Sequence, residues 1–368
     1  MSLVRRHPLI AFFVLAYALA WIIESPLVFL RDTITASDPP GLFLVILASN
    51  VPSVVAIVLT AIVLGRGALR KLLGRLLIWR VNPLWYLVVI LGPVALAGGT
   101  VGLNTLLGGP ALSLGMPLLG AAVFLAFSIF PGSALGEEIG WRGYVLPRMQ
   151  SRMSALSASL LLAPIWALWH LPLWLTGAPG RTPLIYVGFV VSAFALSVLL
   201  TWVYNSTGGS LLLVVLLHAT VNLPITLLYD ALGSRVTVPV LLYFGLMVVT
   251  AIVVIIVAGP EHLSRKRKKQ EEEAAESGVG IPPGVVKPTP ARSRKRRSER
   301  SEVRRSKDRS LQQLRPSFLP LFTRVRGRGI SEVRYDRIKY HSFGGCTVTS
   351  LSGIMLVMTR ACPHLLSG

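Results

Sequence analysis

The feature that most constrains this chain is a series of long apolar stretches in its first 260 residues. They lie near 8–30, 42–65, 83–105, 116–135, 155–176, 184–204, 210–229 and 238–258. A membrane-spanning helix needs about 20 mostly apolar residues, and each stretch has that length. Only 14% of all residues are charged, well below the roughly 25% of an average soluble domain. The pattern predicts an all-α polytopic integral membrane protein in which about eight transmembrane helices form a bundle.

Basic residues are unevenly distributed over the connections between these stretches. They precede the first stretch, separate the second from the third, and follow the eighth. Arg142, Arg148 and Arg152 lie between the fourth and the fifth, whereas the alternate connections contain few basic residues. Cytoplasmic connections are usually those rich in Lys and Arg. We therefore expect a multi-pass protein of the cell membrane with both termini in the cytoplasm.

The connection between the second and third stretches, RGALRKLLGRLLIWRVNP at residues 66–83, has two interpretations. Its basic residues recur at near-helical spacing among leucines, which favours an amphipathic helix lying on the inner leaflet. An ordinary basic loop would fit the same composition.

The composition changes after residue 260, which predicts that residues 1–260 form a membrane domain of their own. Residues 261–310 are charged, rich in proline and poor in large apolar side chains, so we expect a disordered basic tail. A basic segment beside a membrane favours anionic lipid as its partner. No specific nucleic-acid binding is expected, because no aromatic side chains alternate with the basic ones. Residues 311–368 show no clear periodicity, and we predict no particular structure for them.

Two adjacent carboxylates, Glu137 and Glu138, and one arginine, Arg142, follow directly on the fourth apolar stretch. On a helix, Glu138 and Arg142 share a face at i and i+4 and can form an ion pair, whereas Glu137 points about 100° away. This arrangement indicates one carboxylate held by arginine and one that can act as a general base. An ordinary ion pair at a helix end on the membrane surface would account for the same residues.

Three further polar residues lie within apolar stretches. His170 stands between Pro164 and Pro172, where a distorted helix would leave free carbonyls and room for water. It could relay protons, bind metal or simply form a hydrogen bond to a neighbouring helix. His218 and Asn222 share one helix face at i and i+4. They could stabilise a developing oxyanion, or they could be polar contacts between helices.

These three polar clusters lie on separate apolar stretches, and a helix bundle can bring all of them together. Residues with purely structural roles would rarely supply a base, a proton carrier and oxyanion donors at once, so the constellation favours a catalytic site. Glu24, in the first stretch, is a further polar position. We expect it to have a structural role or to contact the substrate path, and we do not expect it to be catalytic.

In these motifs the chain resembles the CPBP family, the CAAX proteases and bacteriocin-processing intramembrane proteases, whose eukaryotic relatives are the type II CAAX prenyl endopeptidases. The family motif EExxxR matches Glu137, Glu138 and Arg142, followed by GWRGYVLPRMQ in the manner of the family. The resemblance covers roughly residues 1–260.

Two further motifs of the family occur in the same order. FxxxH corresponds to WALWH, with Trp166 in place of phenylalanine and His170 retained. HxxxN matches His218 and Asn222, for which the resemblance implies an oxyanion site.

The resemblance implies a peptide-bond hydrolase within an all-helical bundle. It implies that Glu137 is the base that activates water and that His170 helps to hold and polarise this water. It also implies that Glu138 and Arg142 form a supporting pair.

A metal is an open point of this interpretation. The family is commonly described as metalloproteases, but the zinc signature HExxH is absent and residues 1–260 contain no cysteine. If Zn²⁺ is bound, Glu137, His170 and His218 are the candidate ligands. The same groups could activate water directly, and we favour this mechanism, in which no cofactor is required.

Two other functions compete with proteolysis. A non-catalytic membrane scaffold or bacteriocin-immunity protein of the same fold would not need both Glu137 and His170. A proton-coupled transporter could use buried Glu and His as a relay, but we detect no internal repeat and the glutamate pair lies at the end of an apolar stretch. We therefore expect hydrolysis of a peptide or protein substrate at the membrane, of CAAX type or as peptide-precursor processing.

Overall fold

The computed structural model describes residues 2–109, 118–178 and 181–265, together with four short strands near the C-terminus. The chain divides into two compact units, Met1–Pro288 and Thr289–Gly368. Helices dominate the described part of the first unit. They are α1 (Ser2–Arg6), α2 (Pro8–Phe29), α3 (Pro39–Ser49), α4 (Val51–Leu59), α5 (Gly65–Gly74), α6 (Leu84–Leu106), α7 (Leu118–Ile129), α8 (Ser133–Glu138), α9 (Leu146–Gln150), α10 (Ala155–Trp169), α11 (Leu171–Leu175), α12 (Pro183–Ser206), α13 (Leu211–Leu232) and α14 (Thr237–Ala258).

Short segments of other helix types continue several of these helices. π-helical turns lie at Thr60–Leu64 and Ile139–Val145, and 3₁₀ turns lie at Arg75–Leu77 and Gly233–Val236. The π turn at Ile139–Val145 joins α8 to α9 and contains the arginine of the EExxxR motif. π-helical turns often occur at functional sites.

Local sequence signals explain where two helices of the bundle begin. The side-chain oxygens of Ser154 and Thr182 accept hydrogen bonds from the backbone N–H groups of Ser157 and Ile185. Such N-caps satisfy backbone donors that have no partner within the helix. They fix the starts of α10 and α12.

The predicted polytopic helical fold is confirmed. Within the described residues, seven helical segments are long and apolar enough to cross a membrane. They are Pro8–Phe29, Pro39–Leu77, Leu84–Leu106, Leu119–Gln150, Pro183–Ser206, Leu211–Leu228 and Thr237–Ala258. The orientation of the termini stays a prediction.

The fifth apolar stretch, 155–176, is not one long helix, and it shows the helix distortion that was expected around His170. The helix α10 has 15 residues and ends before His170, after which the short helix α11 begins. Pro172 explains this break, because it has no N–H to donate to the carbonyl four residues earlier and its ring obstructs a regular helix. The histidine therefore lies at a junction between two helices.

The predicted end of the fourth stretch at residue 135 was wrong. After a turn at 130–132 the chain resumes a helix, and Leu119–Gln150 forms a single candidate span. Arg142 is fully buried in this segment, so it does not belong to a basic loop. The buried contacts of its guanidinium group, described below, explain why the bundle tolerates it.

Packing places the motif-bearing elements at the centre of the bundle. The helix α4 packs against α8 and the following π turn, and α13 packs against α6, α7 and α8. The helix α12 packs against α10 and α14, while α2 packs against α4 and α11. Large apolar side chains on the outer faces, such as Ile10, Ile22 and Val249, are more than half exposed. This arrangement suits helices whose outer faces contact lipid.

Residues 66–77 of the basic segment at 66–83 lie in the helix α5 and a 3₁₀ turn, which agrees with the helical interpretation of this part of its sequence. Leu72 is buried, whereas Arg66, Arg70 and Lys71 are exposed. Arg75 donates a hydrogen bond to the hydroxyl group of Tyr204 on α12. The helix is therefore anchored on the bundle by one face, and its location on the inner leaflet stays a prediction.

The described part of the second unit is a four-stranded antiparallel sheet. Its strands are β1 (Glu332–Tyr335), β2 (Ile338–Phe343), β3 (Cys346–Leu351) and β4 (Ile354–Val357), in the order β1–β2–β3–β4. They lie within 311–368, the extension for which the sequence predicted no structure. The predicted disordered basic tail at 261–310 lies outside the described residues from residue 266 onward.

Candidate active site

Two glycines one helical turn apart bring the glutamate-bearing segment onto α3 and α4. A Cβ atom at Gly136 would lie 2.6 Å from the carbonyl oxygen of Ser49, and one at Gly140 would lie 2.7 Å from that of Pro52. Real Cβ atoms essentially never make contacts this short, so only glycine permits the approach. The adjacent carboxylates lie between the two glycines and are at most 1% exposed.

Glu138 joins two elements of the bundle through a buried ionic network. Its Oε1 accepts a hydrogen bond of 2.9 Å from Nη1 of Arg142 and lies 2.7 Å from Nδ1 of His218 on α13. An ionised carboxylate only accepts hydrogen bonds, so Nδ1 of His218 carries the hydrogen. The expected i, i+4 pair is thus present, and both of its side chains are fully buried inside the bundle.

Glu137 contacts α10 instead. Its Oε2 accepts a hydrogen bond of 2.6 Å from the indole Nε1 of Trp166 and lies 3.9 Å from Nε2 of His170. The other ring nitrogen of His170, Nδ1, lies 2.8 Å from the carbonyl oxygen of Trp166. Because a carbonyl only accepts, the hydrogen is on Nδ1, and Nε2 of the neutral ring has a lone pair.

The separation between Glu137 and His170 suits a bridging water molecule. At 3.9 Å the two atoms are too far apart for a direct hydrogen bond. An oxygen atom about 2.8 Å from each would complete two good hydrogen bonds. Both protein atoms accept, so such a water would donate both of its hydrogens and keep its lone pairs for an electrophile.

The indole ring of Trp166 contacts side chains of both groups. Its centroid lies 5.2 Å from that of His170 and 5.7 Å from that of His218, with the rings nearly perpendicular. The guanidinium carbon of Arg142 lies 5.0 Å from the same centroid, in the range of a cation–π contact. Sequence reasoning identified this tryptophan only as the aromatic position of a motif and missed these contacts.

The predicted oxyanion pair is partly engaged by other groups. Because Nδ1 of His218 is bonded to Glu138, Nε2 is the ring nitrogen that remains for a ligand. Asn222 lies one turn further along α13 and is half-buried. Its side chain forms no hydrogen bond with any residue that the structure describes, so its amide group is available to a ligand.

Several polar atoms of the motif segment are buried without a hydrogen-bond partner among the described residues. They are Oε2 of Glu138, Nε and Nη2 of Arg142, and Nε1 of Trp141. Buried polar groups in native proteins are nearly always paired. These four atoms are exceptions to that rule, and all of them belong to side chains that are fully enclosed by the bundle.

The side chains do not fit the zinc site considered from the sequence. In the described part of the chain, no three His, Cys, Asp or Glu side chains are arranged to share a metal ion. Among the candidate ligands, the oxygen of Glu137 that lies nearest to His170, Oε2, already accepts a hydrogen bond from the indole N–H of Trp166. Zinc sites in proteins usually need three or four ligands converging on one point.

The helix α2 binds α10 beside this site. The hydroxyl group of Tyr17 and the indole Nε1 of Trp21 donate to main-chain carbonyls of α10, the latter over 3.1 Å. Glu24 lies one turn further along the same face, is 2% exposed, and interacts electrostatically with Glu137 and Arg181. It belongs to the electrostatic surroundings of the site, and its expected structural or substrate-path role stays a prediction.

Comparison with known proteins points to the same segment of the chain. Residues 118–224 match a family model described as type II CAAX prenyl endopeptidase, Rce1-like. A curated archaeal protein, CAAX prenyl protease 2 of Methanococcus maripaludis, is 33% identical over 97 residues. That match covers 25% of this chain and 36% of the relative. All three motifs lie within the segment that the family model matches, and over this segment the chain is similar to the Rce1-like CAAX prenyl endopeptidases.

Proposed function

We propose that this protein is an intramembrane endopeptidase in which Glu137 and His170 activate the attacking water. The observation that carries the proposal is the 3.9 Å separation between Oε2 of Glu137 and Nε2 of His170, on two different elements inside the bundle. The matched family and the name of the archaeal relative support the same class of reaction.

In the first step, a water molecule donates its hydrogens to the carboxylate of Glu137 and to Nε2 of His170. One proton moves to Glu137 as the water oxygen forms a bond to the carbonyl carbon of the substrate. The π electrons of the carbonyl group move to its oxygen, which becomes an oxyanion. A positioned general base of this kind typically contributes about 10²–10⁴-fold to a rate.

Hydrogen bonds from α13 stabilise the oxyanion. Asn222 can donate from its amide group as a neutral side chain. His218 donates from Nε2 only as an imidazolium, because Nδ1 already donates to Glu138. Donors directed at a developing oxyanion are typically worth about 10²–10³-fold in kcat.

In the second step, the bond between carbon and nitrogen breaks. The leaving nitrogen takes the proton that Glu137 received from water, which restores the carboxylate. Glu138 and Arg142 do not exchange protons in this scheme. They hold α13 against the glutamate-bearing segment and so keep His218 in place.

The substrate is proposed to be a peptide or protein segment presented at the membrane. The Methanococcus maripaludis relative is named a CAAX prenyl protease, so a prenylated CAAX peptide is the first substrate class that we propose. A peptide precursor without a lipid is the second substrate class. Peptides that end in a prenylated cysteine followed by three residues, compared with the same peptides without the prenyl group, would separate the two. We further propose that the basic tail binds anionic lipid, which vesicles with and without phosphatidylserine would test.

The test uses a library of quenched fluorescent peptides and purified protein in lipid vesicles. We expect cleavage by the wild type and none by Glu137→Ala or His170→Ala. Glu261→Gln, which changes an exposed carboxylate outside the site, is the control and should cleave like the wild type. Cleavage that survives in Glu137→Ala would refute the proposal, and a wild type that cleaves no peptide would favour a membrane scaffold.

Proton-coupled transport is a second candidate, favoured by one observation. The sequence predicted that the glutamate pair lies at the end of a span, which argued against a transporter. In the structure the pair is buried within the candidate span Leu119–Gln150, so that argument no longer applies. Buried carboxylates and histidines in membranes often relay protons. Uptake of a labelled solute that survives Glu137→Ala would favour transport over hydrolysis.

A further inference from the structure

We propose that Trp166 is a positioning residue, whose indole N–H holds the carboxylate of Glu137 beside His170 and apart from the cation of the neighbouring ionic network. This inference rests on the proposed function in one respect, because it takes Glu137 as the base. The contact itself does not depend on the reaction.

The hydrogen bond between Trp166 and Glu137 is short and buried. It measures 2.6 Å, and Trp166 and Glu137 are 3% and 1% exposed. Hydrogen bonds to a charged acceptor are about twice as strong as those between neutral groups. A glutamate side chain also has three rotatable bonds, so a fixed donor is needed to hold its carboxylate in one orientation.

The competing partner for Glu137 is Arg142. The guanidinium group interacts electrostatically with both glutamates, and its Nε and Nη2 have no hydrogen-bond partner among the described residues. A carboxylate bound directly by an arginine would be a poor base, because the cation stabilises its ionised form. The indole ring of Trp166 keeps Glu137 and Arg142 apart, because it contacts both side chains. Its face contacts Arg142, and its edge donates to Glu137.

Phenylalanine, which the resembled motif usually has at this position, could provide only one of these contacts. Its ring could lie against Arg142, but it has no N–H to donate. Trp166 therefore supplies a hydrogen bond to Glu137 that phenylalanine could not supply. Trp166→Phe is the appropriate variant, since it removes the donor and keeps an aromatic ring.

The first test reads the contact without any substrate. The chain has eight tryptophans, so the ¹⁵N-indole resonance that disappears in Trp166→Phe identifies Trp166 in protein reconstituted in lipid nanodiscs. We expect this resonance to shift in Glu137→Gln, which removes the charge of the acceptor, and to stay in place in Glu261→Gln. A resonance that does not respond to Glu137→Gln would overturn the inference.

The second test measures peptide cleavage. Trp166→Phe should lower kcat by about 10- to 100-fold, the loss expected for one hydrogen bond to a charged group, with little change in KM. Trp21→Phe, which loses an indole donor to a main-chain carbonyl of α10, is the matched control and should keep its kcat. An unchanged kcat in Trp166→Phe, or an equal loss in both variants, would refute the positioning role.

Benzothienylalanine at position 166 guards against a folding defect. It has nearly the shape of tryptophan, with sulfur in place of N–H, and should show the same loss of kcat at an unchanged unfolding temperature. Wild-type activity in this variant would overturn the inference. If the wild type cleaves no peptide, the proposed function fails, and the indole resonance still decides whether Trp166 holds Glu137.

Discussion

A hydrogen bond of 2.7 Å joins Nδ1 of His218 to Oε1 of Glu138, two residues that lie 80 positions apart in the sequence. Arg142 donates to the same oxygen over 2.9 Å. One carboxylate therefore connects two motifs of the family and neutralises a cation that has no exposed surface. The consequences for stability can be measured separately from any catalytic activity.

We predict that Glu138→Gln lowers the free energy of unfolding by about 3–5 kcal/mol, because it leaves the guanidinium of Arg142 buried without its anion. Denaturant unfolding in detergent micelles would measure the loss. Glu261→Gln at the surface should change the value by less than about 0.5 kcal/mol. A Glu138→Gln variant as stable as the wild type would contradict the buried ion pair.

The two close-packed glycines lead to a second prediction about stability. Gly136→Ala and Gly140→Ala should each destabilise the bundle by about 1–3 kcal/mol, because the new methyl group would overlap a main-chain carbonyl oxygen. Gly245→Ala on α14, where a Cβ atom meets nothing within 4 Å, is the matched control. If all three variants unfold at the same temperature, the close approach of the glutamate-bearing segment to α3 and α4 does not exist in the membrane.

Asn222→Ala separates catalysis from stability. The side chain of Asn222 is half-buried and has no hydrogen-bond partner in the described chain, so its loss should leave the unfolding temperature within a few degrees of the wild type. The kcat for peptide cleavage should fall by about 10²-fold if the amide stabilises the oxyanion. Full activity in Asn222→Ala would remove this residue from the mechanism.

Chelators test the role of metal. Since no three of the candidate ligands among the described residues converge on one point, we predict that 1,10-phenanthroline leaves the cleavage rate unchanged. The control is a zinc protease treated in the same buffer and lipid. Loss of cleavage that returns on addition of Zn²⁺ would show that the mechanism of direct activation is wrong.

Local patterns in the sequence predicted the features that depend on spacing along one helix. The apolar stretches predicted the helices of the bundle, because a span needs only length and low polarity. The spacing of Glu138 and Arg142 predicted their ion pair, since residues at i and i+4 are neighbours on any helix. The three motifs could also be recognised from the sequence alone, because each is a short local pattern, and all of them lie within the matched residues 118–224.

Features that depend on contacts between distant segments could not be predicted in this way. The burial of the glutamate pair within the bundle follows from the close approach of Gly136 to Ser49, which no periodicity of the sequence reveals. The contact of Trp166 with Glu137 joins residues on separate helices. The distortion at His170, in contrast, follows from local sequence, because Pro172 cannot continue the hydrogen-bonding pattern of α10.

The most direct test of the central claim is a single-turnover measurement on Glu137→Gln with a peptide that the wild type cleaves. Our account predicts that the variant binds the peptide with the affinity of the wild type, while its rate of cleavage falls by at least about 10²-fold because no base takes the proton from water. Cleavage by Glu137→Gln at the wild-type rate would show that another group activates the water, and the proposed mechanism would be wrong.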